Sequence, residues 1–236
     1  MRGDKQYGNP VNSIRPDIRM TLMLFALPLV FSGTSFATDD ERDEGRVLLD
    51  KFLNDVTTLA ARFEQSLIDS DDTVVEESSG TLEIQRPGQF RWAYDQPYEQ
   101  IMVADGLNIW SYDVDLAQVT VKDQSQMLGN TPALLLGGTQ NALDDFEYIE
   151  SSSDRGTVWI ELRPRSTDNG FTKVELGFND GDLRRMIFSD NLQQSTLIAL
   201  FDVQINQDIP AGRFQFTPPD DADLVGEPLL ANSPEN

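Results

Sequence analysis

The chain has 236 residues, room for one or two domains with a sizeable core, and a formal net charge of −22. That charge argues against nucleic acid, which needs a basic face, and against adhesion to anionic lipid surfaces. There is no histidine and no cysteine, which excludes His-dependent nucleophilic catalysis, His-ligated zinc, disulfides and an anchor on a lipidated cysteine; carboxylate chemistry or no chemistry remains.

The first element is a leader. A basic segment ends at Arg19, the apolar run "MTLMLFALPLVF" spans Met20 to Phe31, and "SGTSFA" places Ser35 and Ala37 at the −3 and −1 positions of a cleavage site. This is the layout of a secretory signal peptide over residues 1–37, with Met20 as an alternative start. Twelve apolar residues fall short of the roughly 20 that a spanning helix needs. The expected mature protein is one domain over residues 38–236. The leader holds Arg2, Lys5, Arg15 and Arg19 against Asp4 and Asp17, so its removal takes the net charge from −22 to −24.

From Asp39 to Leu59 the pattern is helical: Val47, Leu48, Phe52, Val56 and Leu59 recur at helical spacing, and Leu53 lies beside that stripe. The period then changes to two. "ARFEQSLI", "GTLEIQ", "QFRWAY", "EQIMVA", "LNIWSY" and "AQVTV" alternate, with breaks at Pro87-Gly88, Gln96-Pro97, Asp105-Gly106 and Asp113 to Asp115. The segment Asp69 to Ser79 reads as a mobile loop. Asp123 to Phe146 reads as two or three short helices, one starting near Pro132 and ending at Gly137-Gly138. Strands resume with "FEYIES", "GTVWIEL", "TKVELGF", "LRRMIFSD", "STLIALFDVQI" and "RFQFTPP", and the tail from Pro218 reads as a loose end.

The expected fold is mainly β: an incomplete antiparallel barrel of about eleven strands, closing partly around helices and leaving an apolar interior under a helical lid. The acidic groups Asp69-Asp71-Asp72, Glu76-Glu77 and Asp144-Asp145 sit in polar segments and read as solvated surface, not as a catalytic pair. "NDGD" at Asn179 reads as a hairpin turn rather than a calcium loop. Phe90, Trp92 and Tyr94 share one face of a strand, and Trp110 and Tyr112 one face of another; each set is either ordinary core or the lining of a cavity. Arg86 carries five donors and stands before Pro87 near the expected lid, whose C-terminus offers unpaired carbonyls. It is either a latch on those carbonyls or a surface arginine paired with an acid.

"GTLEIQRPGQFRWAYDQPYEQIMVADGLNIWSYD", "GNTPALLL" and "FQFTPP" together resemble the LolA family of periplasmic lipoprotein carriers, in order and spacing over essentially the whole mature chain. The resemblance implies a half-barrel with a helical lid over an apolar cavity, no enzymatic activity and no cofactor. It implies a monomer that accepts acylated lipoproteins from an inner-membrane ABC lipoprotein-releasing complex, shields the acyl chains across the periplasm and passes them to the outer-membrane receptor LolB. By the same resemblance Arg86 is the lid latch, and Pro132, Ala133, Leu134, Leu135, Leu136 and Gly137 form the lid. Leu53, Phe90, Trp92, Trp110, Leu136 and Met186 would line the acyl-chain cavity. Ala133 departs from the aromatic residue that often follows the lid proline in the family, and the Gly137-Gly138 stop shortens the lid. The LolB receptor shares the fold but is normally anchored through a cysteine, and a cysteine-free chain favours the carrier. A LolB-like receptor, or a lipid-binding or sensor protein of this fold, is the alternative.

Overall fold

A computed structural model of the chain describes residues 40–126, 136–137, 145–165 and 170–230. These all lie in the compact unit Thr38–Asn236. The leader, Pro132 to Leu135 and Asp144 fall outside the described residues.

Helix α1 runs Asp40–Asp55, and its buried face is Gly45, Leu49, Phe52 and, just past its end, Val56. That is the three-and-four spacing of one helical stripe. It differs from the expected stripe at one place: Val47 is 64% exposed and Leu49 takes its role. The helix also stops four residues early, because Leu59 already belongs to the first strand.

The strands are β1 (Thr58–Ile68), β2 (Val74–Gln85), β3 (Gln89–Gln96), β4 (Gln100–Asp105), β5 (Asn108–Asp113) and β6 (Gln118–Asp123). After the central segment come β7 (Phe146–Asp154), β8 (Thr157–Pro164), β9 (Phe171–Asn179), β10 (Asp182–Asp190), β11 (Ser195–Ile205) and β12 (Asp223–Val225). They form one twelve-stranded sheet in the order β12-β6-β5-β4-β3-β2-β1-β11-β10-β9-β8-β7. Every pair is antiparallel except β12 with β6. The sheet does not close, since β12 and β7 are its two edges.

Three expectations are corrected. The supposed loop Asp69 to Ser79 shrinks to a turn, because β2 begins at Val74. "RFQFTPP" is no strand; Ala211–Phe214 is a 3₁₀ turn followed by irregular chain. The tail is not loose, because Asp223–Val225 pairs with β6. The Asn179 turn is as expected: Asp180 (φ 52°) and Gly181 (φ 86°) both take left-handed conformations between β9 and β10.

Strand alternation sorts the side chains onto two faces. The inner face carries α1 and one large core, including Leu59, Phe63, Leu82, Ile84, Phe90, Trp92, Leu176, Met186 and Ile198. The outer face of β4–β6 carries a smaller cluster of Val103, Trp110, Val119 and Val121. The chain after β11 covers that cluster: Phe216 packs 5.6 Å from the Trp110 ring, and Asn108 exchanges hydrogen bonds with Leu229.

Candidate functional site: an inward apolar face pinned by Arg86

The β2–β3 turn brings Arg86 to the junction of α1 and the central segment. Its backbone is fixed by an N–H bond to the Thr57 carbonyl at 2.8 Å. From there Nε donates to the Leu136 carbonyl at 3.0 Å, while Nη1 donates to the carbonyls of Leu53 and Val56, each at 3.1 Å, and to that of Phe52. The guanidinium carbon also lies 4.6 Å from the centre of the Phe52 ring. Three of these acceptors are the unpaired carbonyls at the end of α1, where a cation is also favoured by the helix dipole. Burial lowers the Arg86 pKa to about 10, so the side chain stays charged at neutral pH.

Arg86 therefore joins two elements where a lid contact alone was expected. Its Leu136 acceptor lies within the expected lid, Pro132 to Gly137. A second bond reaches the same segment: the Gly88 N–H donates to the Gly137 carbonyl at 2.7 Å. Gln124 holds Gly88 in place by donating from Nε2 to its carbonyl at 2.7 Å and accepting from the Gly106 N–H at 3.2 Å. Sequence reading passed over Gln124, since nothing in a lone glutamine after a strand marks it.

Four of the residues expected to line a cavity come together. Phe90, Trp92, Leu136 and Met186 are at most 3% exposed and share the inner core. Leu53 packs against that core while only partly buried. Phe63, which was not singled out, sits at its centre, 5.1 Å from Trp92 and 5.2 Å from Tyr94. Trp110 does not join them. In β5 it pairs with Val103 and Val121 on the outer face, so strand alternation turns it away from the inner core. Its Nε1–H instead donates to Asp105 Oδ2 at 2.8 Å.

Asp105 closes the β4–β5 turn. Burial alone would raise its pKa, but hydrogen bonds from the Asn108 and Leu107 backbone and the Trp110 and Asn108 side chains outweigh burial and hold it below the ordinary value. The acidic runs behave as turn and surface groups. Asp69, for example, accepts from the N–H groups of Asp71 and Thr73 at 2.9 Å each. Among the described residues no group of three or more acidic side chains could hold a metal ion.

Residues 54–217 match the family model "Outer membrane lipoprotein carrier protein LolA". An outer-membrane lipoprotein carrier protein from Nitrosomonas europaea is 41% identical over 178 residues, covering 75% of this chain and 86% of that protein. Another from Nitrosospira multiformis is 37% identical over 205 residues, covering 86% of this chain and 96% of that protein. Among solved structures, an uncharacterized conserved protein from Thermus thermophilus has the same fold, with a TM-score of 0.51 at 15% identity, covering 77% of this chain and 98% of that one.

Proposed function

The chain belongs to the LolA family of outer-membrane lipoprotein carrier proteins, and from that premise we propose how it holds and yields its cargo. It carries lipoproteins, burying their acyl chains on the inner face of the sheet and acting in the periplasm. The cargo arrives from an inner-membrane ABC lipoprotein-releasing complex and leaves to the receptor LolB, and the carrier works as a monomer.

The physical need is plain. Each methylene kept from water is worth about 0.8 kcal/mol, so two or three exposed acyl chains would cost on the order of tens of kcal/mol. A carrier must bury them, yet not so firmly that release fails. The observation that carries this reading is the Arg86 fork. It joins Leu136 to the end of α1 over a core of Phe90, Trp92 and Met186. Cargo entering that core displaces Leu136 and breaks its bond to Arg86. Part of the burial energy is then offset by opening, which leaves the loaded state poised for release. Arg86 keeps its three α1 acceptors throughout, so a charged group is never left bare when the lid moves.

The test is to mix the mature protein with inner-membrane spheroplasts and analyse the soluble fraction by mass spectrometry. Lipoproteins appearing in a one-to-one soluble complex are expected. No release, even with the matched transporter present, would move the function toward a free-lipid carrier.

A further inference from the structure

Trp92 carries a buried donor with no partner among the described residues. Its side chain points from β3 to the inner face, between its sheet neighbours Leu82 on β2 and Met102 on β4. The residue is 3% exposed, and its indole Nε1–H has no hydrogen-bond partner among the described residues. The rings around it, Phe63 at 5.1 Å and Tyr94 at 6.3 Å, offer no acceptor along their carbon edges. Buried N–H groups are nearly always paired, and an unpaired one destabilises the fold. A phenylalanine would fill the same face without that cost. Trp110 on the outer face shows the usual arrangement, with its own Nε1–H on Asp105.

A second unpaired group lies nearby in the sheet. Ser78 falls in the inward alternation of β2 with Leu82 and Ile84, is 8% exposed, and its Oγ also has no partner among the described residues. It lines a cleft of about 560 Å³ together with Gln65, Tyr94, Gln96 and Gln100. Tyr94 belongs to both places: its ring packs on the inner core, and its hydroxyl donates to Gln65 Oε1 at 3.3 Å at the cleft. The inner face therefore passes from hydrocarbon and the Trp92 indole, through Tyr94, to a polar cleft whose lining also carries Glu76, Glu99, Asp113 and Asp115. An acylated lipid head has the same order of chemistry: alkyl tails, then carbonyls, then a polar group.

We propose that Trp92 Nε1–H is an acyl-carbonyl subsite, donating in the loaded carrier to an ester or amide carbonyl where a cargo acyl chain begins. The inference rests on the carrier reading above. A donor that gains its partner from the cargo favours the loaded state. It also lets the site distinguish an acyl chain from a plain alkyl chain, which apolar burial alone does not do.

The experiment compares two lipopeptides that differ only in their linkage, one dipalmitoyl (two esters) and one dihexadecyl (two ethers, no carbonyl). Each is titrated into the full mature carrier and into Trp92→Phe. The wild type is expected to bind the ester form about fivefold more tightly, about 1 kcal/mol, and Trp92→Phe to bind the two alike. Adding an N-palmitoyl amide to the ether peptide separates the sources: recovery in the wild type alone assigns the amide carbonyl. In ¹⁵N-tryptophan spectra of the unsubstituted protein, the Trp92 indole signal should move downfield with the ester peptide and not with the ether peptide. Equal binding of ester and ether forms by the wild type, or an unchanged preference in Trp92→Phe, overturns the subsite and leaves the carrier reading standing. Failure of the wild type to bind any lipopeptide overturns both.

Discussion

Arg86 and Asp105 show how single residues here act through geometry rather than type. Arg86 reaches α1 and Leu136 at once because the guanidinium presents several donors in a fixed fork. Arg86→Leu should load lipoproteins but deliver them to the receptor several-fold more slowly, because loading no longer breaks a bond; delivery at the normal rate would refute the latch. Arg86→Lys should fall between the two, since an ammonium cannot span both sets of carbonyls. Asp105 gives a pH dependence with a definite sign. Its folded pKa lies below the ordinary 3.8, so the stability it contributes is present above that value and is lost as pH falls through the folded one. Melting of Asp105→Asn against the parent should show a gap at pH 7 that narrows as pH falls below the ordinary carboxylate value.

Between elements, backbone approach matters more than apolar area. Gly80 sits where β2 slips register against β3, and a Cβ there would lie 1.9 Å from the Ala93 carbonyl oxygen. The backbone must move to admit it, so Gly80→Ala should lower stability by about 2 kcal/mol or more in chemical denaturation. Gly137 is different. Its added Cβ would meet Phe90 and the Gln89 carbonyl at 3.4 Å, a contact that small shifts relieve. Gly137→Ala should therefore cost well under half as much. Alternation made β1, β2 from Gly80 onward and β3 to β11 readable because most have one apolar side and one polar side. β12 was not readable, since Asp223, Leu224 and Val225 are all exposed and its pairing with β6 is a tertiary event.

Across the molecule, the open sheet needs cover on both faces. α1 and Leu136 cover the inner one, and the chain after β11 covers the outer cluster. Phe214 is fully buried in that covering segment, and the neighbouring Arg213 pairs with Glu83 at 2.6 Å. Phe214→Ala should cost about 3 kcal/mol and expose the outer cluster. Limited proteolysis should then cut the segment after Ile205 while sparing β1 to β11. Intact resistance of that segment would mean that it is held by β12 alone.

The sequence by itself determined the class of fold, the helix before the strands, the open antiparallel sheet and the family, because those rest on local periodicity, turn residues and the order of motifs. Alternation put Phe90 and Trp92 on one face of a strand, as core or cavity lining, and the family resemblance added Met186; all three lie in the inner core. Tertiary structure decided the rest. Which of two faces a residue such as Trp110 covers depends on the parity of its pairing with distant strands, and no local pattern encodes it. Whether Arg86 binds a lid, a helix end or both depends on three segments meeting at one point, and only the folded chain brings the carbonyls of Leu53, Val56 and Leu136 to the same guanidinium.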